Sequence, residues 1–409
     1  MLNAIGELRA LNREQRAAFI ASLLGWTLDA FDFFLMVFVL RPIAAEFHVG
    51  IPKVAGAIAL TLMFRPLGAL IFGWLADQFG RRPVLMADIL LFSGLELATA
   101  FAPSLLAFFI LRALFGIAMG GEWGIGASLV MESIPARSRG VVSGILQEGY
   151  PLGYLLAAVV YGLFFDLVGW RGMFMIGVAP AFLILYIRFG VKESPAWLLN
   201  RGRPNRPSLL PSLRKHWKLL LYVIALMTAF NFFSHGTQDL YPTFLQVQHG
   251  LKTHVVSLIA IVGNVGAIAG GIFFGSWSQK VGRRRAIVTA AAIALPIIPF
   301  WAFAATPVLL GLGAFLLQFA VQGAWGVVPA HLNELSPDEI RGTFPGFAYQ
   351  LGNFFASYNA VLQTRLADSH GGNYAAVMAV VATVMAVALI ALTARGPEAR
   401  EIVLGAPAA

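Results

Sequence analysis

The sequence predicts an all-α membrane protein with twelve transmembrane helices, arranged as two six-helix bundles that repeat one another. Three observations lead to this fold class: an apolar composition, the number of long apolar segments and an internal repeat. Of the 409 residues, 58% are hydrophobic and only 12% are charged, and the mean hydropathy is +0.76. Soluble domains contain about 25% charged residues, so this composition is typical of a polytopic membrane protein.

Twelve segments are long enough to cross a bilayer, for which a helix needs about 20 predominantly apolar residues. Numbered as spans 1 to 12, they cover residues 17–40, 54–76, 83–101, 104–131, 138–164, 172–191, 217–247, 254–277, 286–304, 306–333, 338–365 and 373–394. Little sequence remains between them, so we expect no separate soluble domain.

The two halves of the chain repeat one another at an offset of 202 residues. The stretch 73–82, rich in glycine and arginine, recurs at 275–284, and Trp123 recurs at Trp325. Further pairs at this offset are Gly121 and Gly323, Glu132 and Glu334, Arg139 and Arg341, and Gly140 and Gly342. Parallel repeats of six spans around a site near the bilayer midplane are typical of secondary transporters.

The boundary between the halves is predicted at residues 201–207, which are rich in proline, glycine and arginine. We therefore expect an N-terminal six-helix bundle at 1–197, a cytoplasmic linker at 198–215 and a C-terminal six-helix bundle at 216–409.

The positive charge of the chain indicates topology. If the spans alternate, 21 Lys and Arg residues fall on one side of the membrane and 5 on the other. The positive-inside rule then predicts a multi-pass protein of the plasma (inner) membrane with both termini in the cytoplasm. No basic cluster lies on a soluble face, so a nucleic-acid partner is not expected. The sequence contains no cysteine, which excludes disulfides and thiolate chemistry.

Two adjacent stripes of polar side chains run along span 7 at four-residue spacing. They comprise Asn231, His235 and Asp239 on one stripe and Ser234 and Gln238 on the next. Pro242 follows and should open the helix, because it cannot donate a backbone hydrogen bond. Polar groups at bilayer depth are costly and usually face a cavity. The alternative is a polar stripe that only joins neighbouring helices.

Charged residues in spans 1 and 2 are further candidates. Asp29 and Asp32 lie one turn apart, so repulsion favours a proton on one of them, or one pairs with a cation on a neighbouring helix. Arg65, in span 2, has a guanidinium group that fits a substrate carboxylate bidentately. Its alternative role is a buried ion pair with Asp29 or Asp32.

Other polar residues fall into three groups. Glu122 and Glu148 are either proton sites or neutral hydrogen-bonded acids, whereas Asp88 and Glu96 are interpreted as structural. Gln350 and Asn353 in span 11 are predicted to line a cavity. Asp77, Arg81 and Arg82 are predicted to form a gating latch at a cytoplasmic turn, and Arg112 continues into Gly116 and Gly120 as a helix-packing stripe.

The 73–82 stretch resembles the loop signature between helices 2 and 3 of the major facilitator superfamily, and Arg112, Gly116, Gly120 and Gly121 resemble its helix 4 pattern. Residues 231–243 are similar to the helix 7 signature of the fungal lactate/pyruvate permeases, in the sialate:proton symporter branch. The resemblance implies the major facilitator fold, carboxylate uptake coupled to protons, and coupling of Arg112 to a carboxylate of span 1.

We therefore expect a proton-coupled symporter of small monocarboxylates such as lactate or pyruvate, working by alternating access as a monomer without cofactor or metal. The predicted substrate-binding residues are Arg65, Asn231, His235, Gln238, Gln350 and Asn353, and the predicted proton-coupling residues are Asp29, Asp32, Glu122, Glu148 and Asp239. One alternative is a proton symporter of another organic acid, such as sialate. Another is a membrane-embedded enzyme with His235 and Asp239 as metal ligands.

Overall fold

The computed structural model describes residues 6, 8–49, 51–201, 209–400 and 402. Within these residues the secondary structure is entirely helical. Residues 202–208 of the predicted linker, and the terminal residues 1–5 and 403–409 that were predicted to be cytoplasmic, lie outside the described residues.

The first half contains spans 1 to 6. Its helices are Arg13–Phe38, Leu40–Glu46, Ile51–Phe79, Arg81–Ala100, Leu105–Ser133, Arg139–Gln147, Gly149–Ile176, Leu183–Gly190 and Pro195–Asn200, with 3₁₀ turns at Ala136–Ser138 and Ala179–Phe182. Gly169 interrupts Gly149–Ile176 with φ 63° and ψ −174°. The chain turns between spans 5 and 6 at this position. Glycine suits the turn because a positive φ would strain a residue with a side chain.

The second half contains spans 7 to 12. Its helices are Leu209–Lys215, Trp217–Gln238, Tyr241–Val247, Thr253–Val281, Arg283–Phe303, Pro307–Trp325, Val328–Leu335, Phe344–Ala356, Asn359–Ser369 and Tyr374–Arg395, with a 3₁₀ turn at Asp338–Ile340. Span 7 ends its first helix at Gln238 and restarts at Tyr241, directly before Pro242. The break predicted there is confirmed.

Among the described residues, ten helical segments are long and apolar enough to cross a membrane. The two remaining predicted spans are occupied by broken helices. Span 6 includes the shorter apolar segment Ala179–Gly190, and span 11 is divided between Phe344–Ala356 and Asn359–Ser369. The chain is therefore a multi-pass membrane protein whose helices follow the twelve predicted segments.

Glycines allow spans 2 and 4 to pack with their backbones in contact. A Cβ atom at Gly116 would lie 2.2 Å from the Thr61 carbonyl oxygen, and one at Gly120 would lie 2.1 Å from the Arg65 carbonyl oxygen. Spans 8 and 10, which correspond to spans 2 and 4 in the repeat, also pack closely: a Cβ atom at Gly270 would lie 2.0 Å from the Phe319 carbonyl oxygen. Small residues permit this close approach in membranes, so the packing role predicted for the glycines that follow Arg112 is confirmed.

The two halves meet at the end of the molecule that carries the predicted cytoplasmic loops. The Ser143 hydroxyl of span 5 donates to the Gly326 carbonyl of span 10 at 2.8 Å. The Ser128 hydroxyl of span 4 donates to the Arg341 carbonyl at the start of span 11 at 2.9 Å. All four residues are buried, so this end of the molecule is closed.

Candidate functional site

The first polar stripe of span 7 connects to span 11 through an imidazole. His235 Nδ1 lies 3.1 Å from Asp239 Oδ1, and His235 Nε2 lies 3.2 Å from Asn353 Oδ1. The His235 and Asp239 side chains are 27% and 38% exposed, whereas Asn353 is buried. An accessible imidazole held between a carboxylate and an amide can bind or release a proton.

The second stripe joins span 7 to span 10. Gln238 donates to Gln318 at 2.7 Å, and Gln318 donates to Thr237 at 3.2 Å. Gln322 donates to Ser234 at 3.1 Å. In this conformation the stripe serves the helix-joining role that was the alternative for span 7.

Asn231 and Gln350 occupy buried positions near these contacts. The Asn231 amide donates to the Met227 carbonyl of its own helix at 2.8 Å. Gln350 accepts from Asn353 at 3.4 Å, while its own Nε2 is buried without a hydrogen-bond partner. Gln350 therefore retains an unused donor beside the His235 network.

Arg65 pairs with Asp29 across spans 2 and 1. Arg65 Nη2 lies 3.1 Å from Asp29 Oδ2, and both side chains are buried. Arg65 Nε and Asp29 Oδ1 have no hydrogen-bond partner. The pair thus uses one donor and one acceptor of two groups that can bind bidentately. The helix that carries Arg65, Ile51–Phe79, packs against Phe344–Ala356, which carries the Asn353 partner of His235.

The remaining acids of the first half are deeply buried. Glu96 pairs with Arg112, which also donates to Thr99 at 3.0 Å. Asp32 of span 1 has no hydrogen-bond partner on either oxygen, and both Asp32 and Glu96 lie against Gly177. Arg112 therefore binds a carboxylate of span 3 rather than one of span 1 in this conformation.

Glu122 and Asp88 have no hydrogen-bond partner on any of their carboxylate oxygens, and both are fully buried. Glu122 lies against Gly25, where a Cβ atom would be 2.3 Å from its Oε1. A buried carboxylate charge without a partner is strongly disfavoured. The surroundings therefore favour neutral acids at both positions.

Aromatic rings form a continuous chain that connects the two halves. Tyr150 stacks on Trp26 with a centroid distance of 5.7 Å, and Trp26 lies 6.5 Å from Trp123. Trp123 contacts Tyr349 at 4.7 Å, which contacts Trp325 at 5.6 Å. The sequence analysis did not identify this aromatic chain, although the repeat of Trp123 at Trp325 was a signal for it.

Among the residues predicted as a latch, Asp77 joins the two halves at the closed end, and Arg81 and Arg82 bind within the first half. Asp77 accepts from the backbone nitrogens of Gly342 at 2.7 Å and Thr343 at 3.0 Å. Arg81 binds Asp77 at 2.9 Å and Glu132 at 2.9 Å. Arg82 donates through Nε to the Ile187 carbonyl at 3.4 Å.

The second copy of the latch has the same geometry with a neutral acceptor. Gln279 accepts from the Gly140 nitrogen at 3.1 Å, and Arg283 binds Glu334 at 2.9 Å. Gln279 and Gly140 are the repeat partners of Asp77 and Gly342. Each half therefore accepts a backbone hydrogen bond from the other.

The described residues contain no group of three or more His, Cys, Asp or Glu side chains arranged to hold a metal ion.

The fold and its buried charges define a multi-pass membrane protein with two repeated halves around a polar centre. The family model of the Major Facilitator Superfamily matches residues 19–358 and 240–407. The chain belongs to this superfamily.

Similar proteins have been named as carriers of organic acids. The chain is 30% identical over 395 residues to the Carboxylic acid transporter protein homolog of Saccharomyces cerevisiae, covering 90% of this chain and 64% of the yeast protein. It is 29% identical to the Sialic acid transporter NanX of Escherichia coli, covering 89% and 90%.

Two solved structures share the fold. The proton:xylose symporter XylE bound to 6-bromo-6-deoxy-D-glucose superimposes with a TM-score of 0.78 at 20% identity, covering 96% of this chain and 98% of XylE. The human organic anion transporter MFSD10 gives 0.65 at 16% identity, covering 93% and 99%.

Proposed function

We propose that the protein is a proton-coupled symporter of small monocarboxylates, such as lactate and pyruvate, that works by alternating access. It would reside in the plasma (inner) membrane as a monomer with both termini in the cytoplasm, and its halves would be 1–197 and 216–409, joined by 198–215. The observation that carries the proposal is the incomplete Arg65–Asp29 pair of one half together with the accessible His235–Asp239 pair of the other. The helix of Arg65 packs against Phe344–Ala356, whose Asn353 contacts His235.

The first step is an exchange of carboxylates on Arg65. A substrate carboxylate can bind the guanidinium group with two hydrogen bonds, whereas Asp29 uses one. Displaced from Arg65, Asp29 would be a buried, unpaired charge and would therefore take up a proton. Substrate binding and proton binding at Asp29 then favour one another.

The second half supplies the other contacts. A protonated His235 donates to the substrate, while Asp239 holds the imidazole ring through its contact with Nδ1. Gln350 offers its unused amide donor, and Asn353 positions the imidazole. Asn231 and Gln238 would contribute only after leaving their present hydrogen bonds.

Asp32 and Glu122 support this exchange from inside the first half, where Arg112 stays paired with Glu96. Asp32 lies one turn from Asp29 on span 1, and neither of its carboxyl oxygens has a hydrogen-bond partner. Glu122 interacts with both Asp29 and Arg65. Their neutral forms keep the surroundings of Arg65 from becoming strongly negative.

Release requires the closed end to open. The latch formed by Asp77, Arg81 and Arg82 would separate from the second half as the halves rock around the site. Protons then leave for the cytoplasm, and Asp29 returns to Arg65 and displaces the substrate.

A larger organic acid is the second candidate. The aromatic chain between the halves provides flat apolar surfaces that suit a bigger carbon skeleton than that of lactate. Two relatives that align with this chain over most of both lengths also favour a larger substrate. One is named for sialic acid. The other, the Probable 4-methylmuconolactone transporter of Cupriavidus pinatubonensis, is 28% identical over 86% of this chain and 84% of the relative.

Substitution of Arg65 tests the proposal. Arg65→Lys keeps the charge but removes the planar fork, so we expect lactate binding to purified protein to weaken at least about tenfold, as for loss of one charged hydrogen bond. Arg65→Ala should abolish it. Arg188, an exposed arginine of span 6, provides the matched control Arg188→Lys. Unchanged affinity in both Arg65 variants would remove Arg65 from the site.

A further inference from the structure

Glu148 lies at the interface between the two halves rather than in the Arg65 cluster. It occupies the break in span 5 between helices Arg139–Gln147 and Gly149–Ile176. Its side chain is 3% exposed and packs against the backbone of span 8, in the other half. A Cβ atom on Gly271 would lie 1.8 Å from Glu148 Oε1, so the carboxyl group would have to leave its present position if Gly271 carried a side chain.

The surroundings of Glu148 provide no countercharge. The helices that pack here carry other charged or titratable groups, among them Asp29 and Asp32 on Arg13–Phe38, His331 and Glu334 on Val328–Leu335, and Lys280 on Thr253–Val281. Arg139, on the helix that precedes Glu148, pairs with Glu334. No described residue forms an ion pair with the Glu148 carboxyl. Charged carboxylates in such a place are strongly disfavoured.

The internal repeat indicates which form of the side chain fits. At an offset of 202, Glu148 corresponds to Gln350 of span 11, and Gly144 corresponds to Gly346. Gly144 packs on span 8 and Gly346 packs on span 4, so both helices lie against the opposite half. Glutamine is the neutral isostere of a protonated glutamic acid, and it occupies the equivalent buried position.

We propose that Glu148 is a proton-binding site built by the contact between the halves, and that the cytoplasmic end closes fully only when this carboxyl is uncharged. Opening moves Gly271 away, water reaches Glu148, and the proton leaves to the cytoplasm. Closing takes a proton back from the same side. The site therefore transports no net charge but makes closure depend on cytoplasmic pH. This inference rests on the alternating access of the proposed function, but not on its substrate.

Distance measurements between the halves test it without substrate. The chain has no cysteine, so Arg137→Cys and Arg285→Cys, at exposed positions on opposite halves, can carry a spin-label pair for pulsed electron paramagnetic resonance in liposomes. We expect the ratio of short to long distances to fall by up to about tenfold per pH unit as pH rises above the titration of the carboxyl.

Glu148→Gln in this background should give the short distance at every pH. Gly271→Ala should lower the short-distance population at every pH, because its Cβ collides with the carboxyl. Glu14→Gln, at an exposed glutamate, is the matched control and should keep the parental profile.

A pH-independent ratio in the parental protein, or an unchanged pH response in Glu148→Gln, would overturn the inference. Either result could occur in a protein that still takes up lactate with protons. Conversely, a protein that transports no monocarboxylate could still show the Glu148-dependent response, so the two proposals fail separately.

Discussion

Replacing Asp29 by asparagine separates substrate binding from proton binding. The variant keeps the shape of the side chain but removes the charge that holds Arg65 at 3.1 Å. If substrate must displace Asp29, removing that competitor should strengthen substrate binding. A hydrogen bond between charged groups contributes about 1.5–3 kcal/mol, and about 1.4 kcal/mol corresponds to tenfold in affinity. We therefore expect lactate to bind at least about tenfold more tightly.

The same change should remove the proton that accompanies binding. In the wild-type protein, lactate affinity should fall as pH rises, since Asp29 must be protonated when the substrate occupies Arg65. In Asp29→Asn this dependence should flatten. Removing one partner of a buried ion pair also destabilises the fold by about 3–5 kcal/mol, so thermal unfolding should be measured alongside binding.

Isothermal titration calorimetry of detergent-solubilised protein across a pH series measures both effects. Asp166→Asn, at an exposed aspartate near the end of span 5, is the matched control and should bind as the wild type does. Weaker lactate binding in a folded Asp29→Asn protein, or an unchanged pH dependence, would refute the displacement of Asp29 by substrate.

Three further outcomes are expected. His235→Ala should lower lactate uptake and flatten the pH profile of uptake between about pH 5 and 8, the range around the ordinary imidazole pKa. A wild-type pH profile in this variant would show that His235 has only a structural role. Asp29→Asn should abolish uphill uptake driven by a pH gradient while lactate exchange continues, and uphill uptake that survives in both Asp29→Asn and Asp32→Asn would place the proton elsewhere. Reporter tags after residues 205 and 280 should be cytoplasmic and a tag near 168 periplasmic, and the reverse at any position would contradict the predicted topology.

Much of the fold followed from local sequence features. Hydropathy located the spans because each must satisfy its backbone within the bilayer, and Pro242 located the break in span 7. The divisions within spans 6 and 11 were not predicted. Span 11 breaks after Ala356 at serine and tyrosine, which carry no strong helix-ending signal, so packing against neighbouring helices decides the break.

The contacts of the site were predictable only within a helix. Four-residue spacing placed His235 beside Asp239, and the structure has them 3.1 Å apart. Partners on different helices depend on how each helix is rotated, which the sequence does not encode locally. The sequence therefore did not decide whether Arg65 binds a substrate, Asp29 or Asp32. It also did not predict that Glu96, interpreted as structural, binds Arg112.

The central claim is that a small monocarboxylate enters together with a proton. Its most direct test is uptake of radiolabelled lactate into proteoliposomes whose interior is more alkaline than the medium, without any other ion gradient. The account predicts transient accumulation above the external concentration, abolished by a protonophore and lost in Arg65→Ala. Lactate uptake that ignores the pH gradient, or accumulation of sialate but of neither lactate nor pyruvate, would contradict it.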